Sequence, residues 1–284
     1  MATVGELLAQ ATKRLNASGI ESAHHDAEIL MAVALDLTRA ELVTAVAMQS
    51  DFDERKRETL EVLLVRREAR EPLQHITGLA PFRNLELKVG KGVFVPRPET
   101  EVVAQLAIDG LLAMAGESPV AIDLGTGSGA IALSLATEVP HAKIFAVEVS
   151  EEALAFTRAN FARYAPEATL IESDFAELGQ ELDGKVSVVV SNPPYIPLDA
   201  IPRDPEVRDF DPNLALFSGA DGFDAFRLIS VLAQRLLHGG GLLVLEHADS
   251  QAADLVKLLL AGGWRQVRSH QDLTGRDRAV TALK

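Results

Sequence analysis

The chain has 284 residues, 48% of them apolar and 24% charged, a composition suited to one large globular domain or a domain with an appendage. Its 27 Lys and Arg stand against 41 Asp and Glu, and the net charge of −14 disfavours non-specific binding to nucleic acid. With no cysteine, a disulfide scaffold, a thiol nucleophile and a Cys-ligated zinc are excluded.

The opening "MATVGELLAQATKRL" lacks the basic-then-apolar layout of a signal peptide. No apolar run approaches the roughly 18 residues of a membrane span. A cytoplasmic protein without a membrane segment is expected. Residues 1–78 read as a small bundle of four or five helices. Thr3 and Glu6 have capping-box spacing, with Val4, Leu7, Leu8, Ala11 and Leu15 on one apolar face and Gly19 as a stop. The next segment should bury Ala27, Leu30, Val33, Ala34 and Leu37 on one side, and Thr38 and Glu41 repeat the capping-box spacing. "DFDERKRETLEVLLVRREAR" is a charged helix with a Leu60, Leu63, Leu64 stripe, closed by Pro72.

Residues 79–98 read as a β-hairpin linker, with "FRNLELKVG" as one strand and "GVFVP" as the other. From Glu99 to the end, helices and near-continuous apolar strands alternate, beginning with a helix over "EVVAQLAIDGLLAMA" (101–115). That pattern predicts an α/β fold with a mostly parallel sheet covered on both faces and an antiparallel last strand. The stretch 197–222 reads as a long Pro- and Asp-rich loop.

"IDLGTGSGAIALSLA" (122–136) is strand, glycine turn, helix. Gly125, Gly127 and Gly129 let the backbone pass close to a ligand, and Glu148 ends the next strand, where a carboxylate can take both hydroxyls of a ribose. Gly125-x-Gly127-x-x-Ala130 also satisfies a dinucleotide fingerprint, so a nicotinamide enzyme stays open on this motif alone. "IESDF" places Asp174 and Phe175 at the end of the third strand. Those two could meet an adenine amino group and its face, and equally suit a helix N-cap followed by a core aromatic.

"VSVVVSNPPYIP" (186–197) breaks a buried strand with Asn192, Pro193, Pro194 and Tyr195. In an open α/β sheet such a strand end borders the ligand crevice. The chemistry it suits is methyl transfer to a planar –NH₂, whose lone pair is delocalised into a carbonyl or a ring. Two acceptors, the Asn192 side-chain oxygen and the Pro193 carbonyl, can hold its two hydrogens and turn the lone pair toward a methyl carbon. The prolines fix the directions of the preceding carbonyls and offer no N–H to repel a donor. Tyr195 can stack on the planar group, so positioning and electrostatics carry the reaction.

With both motifs in place, the chain resembles the amino-methyltransferases of the class I superfamily. The run from Asp123 through Gly125, Thr126, Gly127, Ser128 and Gly129 is similar to their first motif. "FVPRPETE" (94–101), "RREAREPLQHITG" (66–78), "EVRDFDPNLALFSGADG" (206–222) and "DLTGRDRAV" (272–280) match the peptide chain release factor glutamine methyltransferases within that group. This resemblance implies a Rossmann-like class I methyltransferase sheet with an N-terminal helical domain. It implies S-adenosyl-L-methionine as methyl donor, contacted by Asp123, Gly125 to Gly129, Glu148, Asp174, Phe175 and Asn192. It implies that Asn192 to Tyr195 hold the glutamine of a Gly-Gly-Gln loop in class I release factors, and that residues 1–78 grip that partner. No direct nucleic-acid contact and no metal are expected, and a monomer suffices.

The runner-up is an adenine or cytosine amino-group DNA methyltransferase, which shares both motifs. It needs a basic, aromatic-rich recognition segment for a flipped base. The 197–222 stretch holds more acids than bases, and the chain has only 11 Phe, 2 Tyr and 1 Trp. Arg97, Glu99 and Glu101 could order a hinge beside the cofactor or form a surface cluster. The seven histidines read as structural or surface residues, and the Arg55, Lys56, Arg57, Arg66, Arg67, Arg70 group as a solvated helix face.

Overall fold

A computed structural model describes residues 2–114 and 118–284. The chain forms two compact units: Met1–Leu79 with Pro202–Phe210, and Ala80–Ile201 with Asp211–Lys284.

The first unit holds α1 (Val4–Ala17), α2 (Ala23–Leu35), α3 (Arg39–Ala47), α4 (Arg57–Glu68) and α5 (Leu73–Thr77). Both capping boxes form: Thr3 and Thr38 accept from the Glu6 and Glu41 amides, and the two glutamates reach back to the threonine amides at 2.9 and 2.8 Å. The α1 face of Val4, Leu7, Leu8, Ala11 and Leu15 is buried as its 3.6-residue spacing requires. In α2 the buried stripe is rotated from the expected one. Ala27, Leu30 and Ala34 are buried as expected, and Met31 and Asp26 join them, while Val33 is 46% exposed.

Asp26 turns inward because Arg67, on the last turn of α4, is buried opposite it, Nε to Oδ2 at 2.7 Å. The other Arg67 terminus donates to Glu206 at 2.8 Å, and Arg70 donates to the second Glu206 oxygen at 2.6 Å. Glu206 lies on α9 (Pro205–Phe210), which the sequence pattern placed in a structureless loop of the other domain. The basic run is therefore not simply a solvated face: Arg67 is buried, Arg55 pairs with Asp53 in the turn before α4, Arg57 with Glu54 and Arg66 with Glu71.

The second unit begins with a hairpin, β1 (Leu79–Phe82) and β2 (Leu85–Lys88). Its turn is at Arg83-Asn84, which corrects the expected pairing of "FRNLELKVG" with "GVFVP". Arg83, at φ 49°, donates through Nε and Nη2 to Glu138, and its amide bonds Glu101 at 2.9 Å. Residues of "GVFVP" form no strand. Val93 and Val95 are buried beside Ala80, Val89 and Ala153 instead.

Then follow α6 (Thr100–Ala113), β3 (Val120–Leu124), α7 (Ala130–Glu138), β4 (Lys143–Glu148), α8 (Glu151–Tyr164), β5 (Thr169–Glu172) and β6 (Val186–Ser191). Ala115, which ends the predicted first helix of this domain, lies outside the described residues. After α9 and α10 (Asn213–Leu216) come α11 (Asp224–Leu236), β7 (Leu237–Glu246), α12 (Ala252–Ala261), β8 (Arg265–Gln271) and β9 (Asp277–Leu283). The seven-stranded sheet has the order β5-β4-β3-β6-β7-β9-β8, parallel except for β9, which is antiparallel to both its neighbours.

Apolar residues cover both faces. Val188 and Val190 of β6 join a cluster with α6 and α7, while Val189 packs with Phe226, Ile229 and Leu255 on the other side. All six residues of β6 are buried, as a central parallel strand demands. The order reverses at β3: β4 and β5 lie to one side, and β6 returns on the other. This is the mostly parallel sheet covered on both faces that the alternating pattern predicted, in the Rossmann-like class I methyltransferase arrangement that the resemblance implies.

Candidate active site

Asp123 pairs with Val190 in the β3–β6 register, so the glycine turn and Asn192 leave the sheet side by side at its switch point. Ligands of open α/β sheets bind outside the carboxyl ends of the strands at such a point. A bond from Ser191 Oγ to the Leu124 carbonyl at 2.6 Å ties the two strand ends together.

The turn is held from several directions. Gly125 and Thr126 amides donate to the Val147 carbonyl at 3.0 and 2.9 Å. Thr157 Oγ1 donates to Gly127 O at 2.6 Å, and Asn160 Nδ2 to Ser128 O at 2.9 Å. Asp123 Oδ2 accepts from Thr126 Oγ1 at 2.6 Å and from the Ala132 amide at 3.2 Å, while its Oδ1 is buried without a hydrogen-bond partner. Burial raises the Asp123 carboxyl to about 7, against the pull of those two donors and with the help of Glu148.

The three glycines have different jobs. A Cβ on Gly125 (φ 73°) or Gly127 (φ 56°) would meet no atom within 4 Å, so both border open space. A Cβ on Gly129 would collide with Phe161 at 2.9 Å, which makes it a packing glycine. Two bare backbone positions over an opening, beside a buried unpartnered carboxylate oxygen, fit a polar ligand lying across the turn.

Glu148 is buried, and its carboxylate already accepts three amides: Gly127 to Oε2 at 2.8 Å, Val149 and Ser150 to Oε1 at 2.9 and 2.8 Å. Each carboxylate oxygen offers about two acceptor sites, so one site on Oε2 stays free for a ligand hydroxyl. Taking both hydroxyls of a ribose requires release of the Gly127 amide, a finer condition than the sequence suggested.

The NPPY segment is as firmly fixed. Asn192, Pro194 and Tyr195 are half-buried and Pro193 is buried. Tyr195 and Ile196 amides both donate to Leu216 O, at 3.2 and 2.8 Å, and Ser218 returns a bond to Ile196 O at 2.9 Å. Gln251 Nε2 donates to the Tyr195 carbonyl at 3.0 Å, and Gly222 sits so close to that carbonyl that no side chain fits. The Tyr195 phenol is pushed well above its usual range by burial and by the nearby Glu246 carboxylate, and it remains protonated.

Glu246, at the end of β7, is 1% exposed. Burial pushes it up to about 7, although the Thr100 hydroxyl, Arg278 and the Asn192 amide favour its charged form. The sequence reading passed over Glu246, Thr100, Gln251 and Gly222. The available signal was an acid closing the apolar run "GLLVLE", the same arrangement that drew attention to Glu148.

Comparison with known proteins decides the family. A model described as the PrmC N-terminal domain matches residues 6–78, and one described as the methyltransferase small domain matches residues 85–200. A release factor glutamine methyltransferase of Streptomyces coelicolor is 50% identical over 279 residues, 98% of this chain and 96% of that protein. The chain belongs to the release factor glutamine methyltransferase family. The Bifidobacterium longum protein of the same name is 42% identical and covers 99% of each chain. A methyltransferase structure from Pyrococcus furiosus aligns over 82% of this chain and 99% of its own with a TM-score of 0.52; at 17% identity it bears on the fold alone. This protein is an enzyme of the methyltransferase class.

The other residues that the sequence singled out have the following partners. Asp174 caps a short 3₁₀ turn, its Oδ1 accepting from Ala176 at 2.9 Å, and Phe175 packs partly into the cluster under β3 and β4. Arg97 bonds the buried Asp211 at 2.8 Å and lies over the Phe94 ring, while Glu101 is engaged by Arg83. Neither is a loose surface charge. Among the described residues no group of three or more His, Asp or Glu could hold a metal ion, and no helix is long and apolar enough to cross a membrane.

Proposed function

We propose that this enzyme transfers a methyl group from S-adenosyl-L-methionine to the side-chain amide nitrogen of the glutamine in the Gly-Gly-Gln motif of peptide chain release factors. The observation that carries the reading is the placement of Asn192-Pro193-Pro194-Tyr195 beside the open glycine turn at the switch point of the sheet. The names of the two relatives, at 50% and 42% identity over nearly the whole chain, support the substrate.

The donor supplies an electrophilic methyl on a sulfonium; as the N–C bond forms the S–C bond breaks, S-adenosyl-L-homocysteine leaves, and the nitrogen gives up one of its two protons to solvent. The open backbone at Gly125 and Gly127 would hold its methionine end, with Thr126, Ser128 and Gly129 shaping the turn and Asp123 bracing it. Glu148 Oε2 would take a ribose hydroxyl, and Asp174 and Phe175 the adenine. On the acceptor side, Asn192 Oδ1 and the Pro193 carbonyl each accept one N–H of the glutamine amide. Both hydrogens held in place leave the lone pair directed at the methyl, which a freely rotating amide does not achieve. Tyr195, neutral and half-buried, stacks on the amide plane and excludes water.

In this reading residues 1–78 bind the release factor, 79–98 link, and 99–284 catalyse. The enzyme acts in the cytoplasm, as a monomer and without direct contact to nucleic acid. The test is incubation with labelled S-adenosyl-L-methionine and either a release factor or unmethylated DNA. Label on the Gly-Gly-Gln glutamine is expected. Label on DNA alone would overturn the proposal in favour of a base-directed enzyme.

A further inference from the structure

We infer that Glu246, together with Thr100, is a positioning residue that fixes which way the Asn192 side-chain amide faces. The inference rests on the proposed amide methylation, in which Asn192 Oδ1 must point at the acceptor nitrogen.

An asparagine amide is nearly symmetric in shape and opposite in function at its two ends. With the oxygen outward, Asn192 accepts an N–H of the glutamine. With the –NH₂ outward, it presents donors to a donor and blocks the reaction. Something behind the side chain must choose.

Two acceptors stand there. Asn192 Nδ2 donates to Thr100 Oγ1 at 3.4 Å, from the first turn of α6. The Glu246 carboxylate comes from the neighbouring strand, since Ser191 pairs with Leu245 and the next residues on each chain are Asn192 and Glu246. The Thr100 hydroxyl and the Asn192 amide both lean on this carboxylate and favour its charge. Once ionised, which its raised carboxyl reaches above about pH 7, Glu246 only accepts, so the –NH₂ end is drawn inward and Oδ1 is turned toward the crevice. Flipping the amide would set its oxygen against a carboxylate at a site closed to water.

The other charged groups around Glu246 do not compete for this task. Arg278 on β9 and Glu99 before α6 act on it with opposite signs, and Tyr195 is neutral. Glu246 Oε2 is buried and makes no hydrogen bond. A carboxylate kept only for stability would be a costly choice in that position.

The test uses the full-length protein in two states. In the unliganded protein, NMR is expected to show the Asn192 side-chain –NH₂ in contact with the Thr100 methyl, and that contact is expected to be lost in Glu246→Gln, whose own –NH₂ repels the inward donor. With cofactor and a Gly-Gly-Gln protein, Glu246→Gln should lower kcat by about 10–100-fold, as loss of an outer orienting partner does, with cofactor affinity unchanged. Thr100→Val should lower it less, and Glu246→Asp should recover part of the loss. In an Asn192→Ala background the further change Glu246→Gln should leave the single-turnover rate unaltered.

An Asn192 –NH₂ with no contact to Thr100 would overturn the inference, as would a folded Glu246→Gln enzyme with unreduced kcat. So would an additive loss in the Asn192→Ala background. Because the NMR measurement needs neither substrate nor cofactor, it decides the orientation even if the Gly-Gly-Gln protein proves not to be the acceptor.

Discussion

Arg67 and Glu206 are 139 positions apart in sequence and 2.8 Å apart in space, with side chains only 7% and 11% exposed. The guanidinium also holds Asp26, at 3% exposure, so one cation satisfies two buried acids. Arg67→Ala leaves Asp26 without its cation and Glu206 with Arg70 alone, and is expected to cost the helical unit about 3–5 kcal/mol. Urea unfolding followed by helical circular dichroism checks this; a loss below about 1 kcal/mol would mean the site hydrates freely.

The same cluster predicts an acid limit. Burial favours protonation of Glu206, but its hydrogen bonds with the Asp204, Arg70 and Arg67 side chains win and hold its carboxyl at about 2 against an ordinary 4.5. A depressed carboxyl contributes stability above its unfolded value and loses it as pH falls toward the folded one. Hydrogen-exchange protection factors in residues 202–210, taken against the intrinsic rate at each pH, should therefore fall between about pH 4.5 and 2, and Glu206→Gln should remove that dependence.

Asp123 and Glu246 act in the opposite sense. Burial raises each to about 7, from 3.8 and 4.5. The folded protein keeps protons that the unfolded chain has released, so their contribution is complete below about pH 4 and is lost as pH rises to about 7. Asp123→Asn should flatten the fall in unfolding free energy across that window, as measured by denaturant titrations at successive pH values.

Removing Asn192, the proposed acceptor clamp, should separate chemistry from binding. Asn192→Ala is expected to lower kcat by about 10²–10³-fold, the effect of losing one preorganised partner in a closed site. Calorimetry should find cofactor affinity within about twofold of the unmutated enzyme, because one polar contact among many is lost.

Gly127→Ala provides the complementary case. The residue sits at φ 56° over open space, so the substitution strains the backbone by roughly 1–2 kcal/mol and puts a methyl in the cradle. Gly240, at φ 84° with nothing within 4 Å, is the control for strain alone. Both should be destabilised similarly, and only Gly127→Ala should weaken S-adenosyl-L-methionine binding.

What could be read in the sequence was whatever depends on local spacing. The capping boxes at Thr3 and Thr38, the α1 stripe, the glycine turn and the buried β6 strand all follow from periodicity and turn chemistry. What escaped depends on contacts between distant segments. Asp26 is buried because Arg67, 41 positions away, pairs with it, and no helical periodicity contains that pull. Glu246 and Gln251 gain their relation to NPPY only when β7 is laid beside β6. The hairpin was misplaced because "GVFVP" has strand-like residues while Arg83 and its acidic partners set the turn earlier.

The helical unit is a discontinuous module. Its last helix, α9, is encoded between β6 and α11, so the reading frame of the catalytic sheet supplies the acid that completes the Asp26–Arg67 pair. Residues 1–79 moved alone into a chimera would carry a buried arginine short of one partner. Any exchange of this helical unit has to transplant two pieces of chain, and substitutions at Arg67 and Glu206 are constrained to change together.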